Sequence, residues 1–424
     1  MTKENFASEK RTGNESGGKK LFWKKFYQKP IYLGIIAVFL IFLIVGNVNA
    51  AVCTCSDCIT CNNALNNTNC DTVNLIAEIN NHVGTCINDP TNFNNKIFDC
   101  QEHGIDGDDS GNWSNPTYGI YLNGKTDNTI KNCIVTDFDY GIFFMSSSNN
   151  TLTNNTANDN GEEGIDLYSS SHNTLTNNTA NNNVAKGIIL SASNYNILTN
   201  NTANSNSYYG IGIYLSTSNN NTLTNNTANN NTDYGIYLSS SSNNTLTNNT
   251  ADYNDVGIYL PWSDNNNLTS NTANNNSWAG IYLVSFSNYN TLTSNTVNNN
   301  KYGIHIHSSS TNTLNTNEVC SNTDTDIYVS SSTGNTGDNN TCNTTYNYND
   351  IGTTTGCTYS CSSVLVEKAT DIFDAVEMLE YLSGQKNFNQ LSHYNITGYY
   401  KFTGSGDINL PDVFALIAQI VTGG

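Results

Sequence analysis

From residue 119 to about residue 330 the apolar positions of this chain fall in short alternating groups, and the groups recur about every 23 residues. One group reads Gly-Ile-x-Leu or a near relative, starting at Gly119, Gly141, Gly164, Gly187, Gly212, Gly235, Gly257, Gly280 and Gly303, with a degenerate copy at Asp326-Ile327-Tyr328-Val329. The other reads Leu-Thr-Asn-Asn-Thr, with leucines at Leu152, Leu175, Leu198, Leu223 and Leu246 and looser copies at Leu268, Leu292 and Leu314. Alternation with a period of two predicts strands with one buried face, and the intervening Asn, Ser and Asp runs predict turns. No helical period interrupts the stretch between Gly104 and Thr341. Two or three short strands per repeat, wound as a coil, predict an all-β solenoid: a single-stranded parallel β-helix of about ten coils. Stacked at strand spacing, such coils make a rod on the order of 48 Å long.

Comparing the copies separates inside from outside. Three residues after each leucine stands an asparagine in every copy: Asn155, Asn178, Asn201, Asn226, Asn249, Asn271, Asn295 and Asn317. The residue before it drifts among Asn, Ser and Thr, so the constant position is read as inward and the drifting one as outward. Stacked Asn side chains can bond one another along the rod, which predicts a structural Asn ladder. In the Gly-Ile-x-Leu strands the x position points out. That file includes Tyr214, Tyr237, Tyr259 and Tyr282 on consecutive coils, an aromatic strip expected either to bind carbohydrate or to stabilise the sheet by stacking.

Composition narrows the function classes. Beyond Ala50 there are 8 Lys, no Arg and 32 acidic residues, a formal charge near −24, which excludes a nucleic-acid partner for want of phosphate contacts. Half of the 16 basic residues precede residue 51, ahead of an apolar run from Ile31 to Val45. Residues 1–50 therefore read as a signal peptide, or as a membrane anchor if uncleaved, and the rest as exported to the extracellular space or cell surface. All 12 Cys follow that segment, an even number suited to an oxidising compartment. Their clustering predicts a Cys-rich N-terminal cap and first strands over 51–103, repeats over 104–340, and a Cys-containing C-terminal cap or linker over 341–363. Cys53, Cys55, Cys58 and Cys61 admit a metal motif, but stapling of the solenoid end is preferred. Triplets such as Asn154-Asn155-Thr156 place glycosylation acceptors at the outward position, although an Asn/Thr-rich repeat also produces them by chance.

The run Asn95-Lys96-Ile97-Phe98-Asp99-Cys100-Gln101-Glu102-His103-Gly104-Ile105-Asp106-Gly107 and the Asn-Asn-Thr-Leu-Thr-Asn-Asn units resemble the NosD-like right-handed parallel β-helix proteins, over roughly residues 70 to 340. The resemblance implies right-handed winding, and a fold that also hosts pectate lyases, polygalacturonases and carbohydrate-binding surface proteins. It also implies periplasmic copper-site maturation, for which three Met and one close pair, His305 and His307, are few donors. Residues 364–424 differ. Two helical patterns, 371–382 and 409–420, are offset by 38 residues, and Gly404-Ser405-Gly406-Asp407-Ile408-Asn409-Leu410-Pro411-Asp412 resembles a dockerin loop. That implies a small C-terminal α-helical module with a cohesin-like partner. Calcium is left open there with degenerate ligand positions, on which Lys401, Thr403 and Ser405, and Ser363, Leu365 and Glu367, fall.

No cofactor is expected. The densest acidic patch is Asp159, Glu162, Glu163 and Asp166, with Asp137 and Asp139 one coil earlier, and it is read as solvated charge on otherwise regular coils. The resulting expectation is an exported cell-surface β-helix protein with a non-catalytic structural or interaction role, extending to polysaccharide binding on the aromatic strip. Its alternative is a polysaccharide lyase or glycoside hydrolase using Glu163 and Asp166.

Overall fold

The computed structural model describes residues 51–111 and 114–361. The chain winds as an all-β right-handed parallel solenoid of about 13 turns with repeats of about 23 residues. Its first sheet has 13 strands, running from Val52–Cys55 through the Thr-Leu-Thr segments to Thr336–Asp338. The second sheet, of 12 strands, stacks the Gly-Ile-x-Leu segments from Ile87–Asn88 to Thr345–Tyr346. A third face begins as four short strands and continues as single bridges from Thr156 through Thr179, Thr202 and Thr227 to Glu318.

Two expectations about the fold need correction. The turns exceed ten because coils at Thr72–Leu75 and Ile97–Asp99 bury the same alternating residues, Val73, Leu75 and Phe98, but carry longer corners that hide the period. Among the described residues the helix lies near the N-terminus at Cys58–Asn66 (α1), not at the C-terminus; the expected module of 364–424 lies outside the described residues. Asp57 caps α1 by accepting from the Thr60 N–H, while Thr60 Oγ1 accepts from the Asp57 N–H. The helix turns Cys58, Cys61 and Leu65 onto the first coil.

Each coil turns four corners, and each corner pairs a residue at positive φ with an inward polar residue that stacks on its equivalent. One corner holds the asparagines from Asn155 to Asn317. The Asn155 N–H and Nδ2 both donate to Asn178 Oδ1 at 3.0 Å, and Nδ2 also donates to the Ile130 carbonyl of the preceding coil. Asn160, Asn183 and Asn206 head a second such ladder, Asn150, Asn173 and Asn196 a third, and Ser147, Ser170 and Ser193 a hydroxyl ladder. The residues ahead of them, such as Asn154 (φ 54°), Asn177 (φ 55°) and Asn182 (φ 56°), adopt the left-handed conformation that Asn tolerates best among residues with a side chain. Ladders have direction, and two of the four end on carboxylates. Asn340 N–H donates to Asp350 Oδ2 at 2.8 Å, and Asn322 Nδ2 to Asp326 Oδ1 at 2.9 Å.

All 12 cysteines are paired. Cys53–Cys70, Cys55–Cys61, Cys58–Cys86 and Cys100–Cys133 staple the N-terminal coils, and Cys320–Cys361 and Cys342–Cys357 the C-terminal ones.

Candidate functional site

The outward face of the second sheet is where the repeat and its exceptions meet. At Gly164 a Cβ would lie 2.6 Å from the Ala157 carbonyl oxygen and 2.7 Å from Asn183 Nδ2, so glycine lets the backbone turn inward there. Gly164 and Ile165 both face the core, and the residues three apart, Glu163 and Asp166, therefore share the outer face. The same geometry brings Tyr118 to Tyr121 (ring centroids 5.1 Å), Tyr234 to Tyr237 (4.9 Å) and Tyr302 to His305 (5.1 Å).

Among these files the strand Glu163–Tyr168 carries charge. Glu163 and Asp166 are each only 8 % exposed, and Lys186, on the next coil in register with Glu163, donates from Nζ to Glu163 Oε1 at 2.9 Å. Asp166 Oδ1 is buried with no hydrogen-bond partner. Burial, reinforced by the Glu163 charge and opposed by Lys186, pushes the Asp166 carboxyl well above the usual carboxylate range. On the preceding coil Tyr140 pairs in register with Glu163, and burial together with the Glu163 and Glu162 charges holds its hydroxyl protonated. Burial and Glu163 also raise Glu162. A neutral acid thus sits beside a carboxylate–ammonium pair and a tyrosine hydroxyl, the separation of protonation states that acid–base chemistry uses.

The rest of the acidic patch faces elsewhere. Asp139 accepts from the Thr117 N–H at 2.7 Å and from its Oγ1 at 3.0 Å. Burial and the neighbouring Asp106, Asp109 and Asp159 push Asp137 up to about 6 on a different corner.

The regular coils are broken on both sides of Glu163 and Lys186. The chain between the strands Gly104–Gly107 and Tyr118–Asn123 is longer than in the repeats that follow, and an insertion at Ser207–Gly210 leads into Ile211–Ser216, on the same edge of the sheet as the start of Tyr118–Asn123. The insertion presents Tyr208 and Tyr209, exposed and 4.5 Å apart between ring centroids. Beyond it runs the tyrosine file, with centroids 4.8 Å apart from Tyr214 to Tyr237, 5.0 Å from Tyr237 to Tyr259, and 5.3 Å from Tyr259 to Tyr282. Next in the file stands His305, 9 % exposed, with both ring nitrogens buried and unpartnered, and Tyr328 and Tyr346 continue the file beyond it. His307 instead meets Ser330 Oγ at 2.9 Å. Lys186, Tyr140 and the burial of His305 escaped the sequence reading, which followed only the x file; the residue before each glycine was the signal that finds the first two.

The eight asparagines from Asn155 to Asn317 lie inside, while Asn154 is exposed at its corner. The grouping Cys58, His82 and Cys86 offers no thiolate for a metal, because its cysteines form a disulfide.

Residues 48–232 match the family described as "Periplasmic copper-binding protein (NosD)", and residues 210–342 match "Right handed beta helix region". No curated protein matches the chain. Among solved structures, an Azotobacter vinelandii mannuronan C-5 epimerase A-module is 16% identical over 66% of this chain and 81% of its own, with TM-score 0.48. A periplasmic alginate epimerase is 16% identical over 62% of this chain and 75% of its own, with TM-score 0.43. The Dettilon tailspike protein is 14% identical over 70% and 62%, with TM-score 0.43. These likenesses concern the fold; activities are stated of those proteins.

The non-catalytic expectation is corrected at its premise: it took Glu163 and Asp166 for solvated charge on unbroken coils, whereas both are buried between two interruptions. The expected signal peptide or membrane anchor of residues 1–50 lies outside the described residues; among those described no helix is long and apolar enough to cross a membrane. Copper does not fit the described donors: every cysteine is in a disulfide, and His305 is enclosed by rings with its centroid 6.4 Å from that of His307. Six disulfides suit an oxidising, exported location, periplasmic or extracellular. The chain is a NosD-like, right-handed parallel β-helix repeat protein.

Proposed function

We propose that the chain is a polysaccharide-acting enzyme, a glycoside hydrolase in which Asp166 is the general acid and Glu163 its carboxylate partner. The observation that carries this reading is Asp166 itself, buried with a free Oδ1 beside the Glu163–Lys186 pair. Asp166 gives its proton to the glycosidic oxygen as the C–O bond breaks, and Glu163 takes the proton of the water that adds to the anomeric carbon. Tyr140 hydrogen-bonds the sugar from the preceding coil. The strip Tyr214, Tyr237, Tyr259 and Tyr282 carries the chain away from the site by ring stacking.

Charge favours a neutral glycan over the polyuronates named for the similar structures. Each lysine among the described residues is committed: Lys96 to the Leu65 and Asn67 carbonyls, Lys125 to Asp89, Lys131 to Asp99, Lys186 to Glu163 and Lys301 to Asp324. None is left to hold a uronate carboxylate. Residues 364–424 and a cohesin-like partner play no part in this reading.

Reducing-sugar release from a panel of β-glucan, xylan, mannan and alginate tests it. Hydrolysis of a neutral member is expected, falling about 10²- to 10⁴-fold in Glu163→Gln and Asp166→Asn. Unsaturated products from alginate would establish a lyase instead. Silence across the panel, or full activity in both variants, would overturn the assignment.

A further inference from the structure

Among the described residues, the buried titratable side chains with unpartnered polar atoms are Asp166 and His305, and both stand on one file of one sheet. Successive strand registers connect them through Ile189, Tyr214, Tyr237, Tyr259 and Tyr282, six coil steps in all. At strand spacing the steps span on the order of 29 Å. The residues between carry no charge. The adjoining file, at Ile211, Tyr234, Val256 and Ala279, is equally uncharged, and Asp233 and Asp255 lie beside Tyr234.

An unpaired buried polar group costs free energy, so two of them framing an aromatic strip call for a ligand that satisfies both. His305 is packed by Tyr282 (ring centroids 4.7 Å), Tyr328 (4.9 Å), Tyr302 (5.1 Å) and Trp278 (5.3 Å). These rings stack on an apolar sugar face and leave the imidazole as the local hydrogen-bonding group, donor at one nitrogen and acceptor at the other. Coil spacing is close to the length of one pyranose unit in an extended chain, so one sugar per coil keeps register along the strip.

We infer that His305 is a distal glycan-binding subsite, and that a single neutral polysaccharide segment of about seven units lies along the file from Asp166 to His305, with length thereby set by coil count. This rests on the hydrolase reading and adds the path of the bound segment and the length the site accommodates. His305 acts by positioning; a side-chain movement of the enclosing rings accompanies ligand entry.

Calorimetric titration of Glu163→Gln protein, which slows turnover, with β-1,4-linked gluco- and manno-oligosaccharides of about four to about ten units provides the test. Affinity is expected to rise with length and level off near about seven units. Adding His305→Phe, which keeps an aromatic ring in the enclosure, is expected to move the plateau about one unit shorter and weaken the longer ligands about ten-fold, equivalent to about 1.4 kcal/mol. Adding His305→Gln, which keeps a donor and an acceptor, retains most of the gain. An identical length dependence with and without His305→Phe overturns the inference. If the protein bearing native Glu163 still hydrolyses glycan in that case, the catalytic reading stands; if no oligosaccharide binds and no glycan is hydrolysed, both fall.

Discussion

Burial moves Asp166 and His305 toward their neutral forms from opposite sides, one keeping its proton and the other losing it. Burial, with a smaller contribution from the nearby His307, depresses His305 from 6.5 to about 4. The unfolded chain therefore binds a proton between those values that the folded chain refuses. Stability from this residue is full above about 6.5 and is lost as pH falls toward about 4. Thermal melts of wild type and His305→Phe are expected to diverge across that window, with wild type losing more; parallel curves would show that His305 is not buried in solution. Asp166 has the reverse sign, holding a proton the unfolded chain releases, so its penalty grows as pH rises. Residues of this kind were half legible. Glu163 and Asp166 were visible as an acidic patch, but their burial was not, because it depends on side chains of neighbouring coils, Tyr140 and Lys186, that alternation along one strand does not reveal.

At the scale of the coil, the asparagines do two jobs that look alike in sequence. Asn226 is buried; its Oδ1 accepts from the Asn201 N–H at 2.9 Å and Nδ2 at 3.0 Å, and its Nδ2 donates to the Leu198 carbonyl and to Asn249 Oδ1. Asn225 beside it is exposed at φ 56° and supplies the turn. Asn226→Ala strands several buried donors and acceptors and is expected to cost about 3 kcal/mol or more in chemical denaturation. Asn225→Gly, at a conformation glycine adopts freely, is expected to change stability by less than about 1 kcal/mol. Equal effects would mean the ladder does not bear on stability. The constancy of one position against the drift of its neighbour distinguishes these roles in sequence. The same comparison also marks the ladders headed by Asn150 and Asn160, and its longer step from Gly187 to Gly212 marks the insertion that carries Tyr208 and Tyr209.

A solenoid is stabilised mainly between neighbouring coils, so the described ends govern where it opens. The C-terminal coil is held by Cys320–Cys361, Cys342–Cys357 and the Asp350 carboxylate beneath Asn340. Reducing the disulfides is expected to accelerate amide exchange first at 318–361 and at 52–100, leaving the central strands from Glu163–Tyr168 to Ala279–Val284 protected. Uniform exchange along the rod would show that the caps do not limit opening. Sequence by itself determined the solenoid, its period, its inside and outside, and the oxidising location, because stacking in register makes each copy's spatial neighbour the next copy in the chain. Only the tertiary structure decided the number of turns, the disulfide partners, the meeting of Lys186 with Glu163 between two insertions, and the enclosure of Asp166 and His305. Those depend on distances between coils and on exceptions to the repeat, and a period records neither.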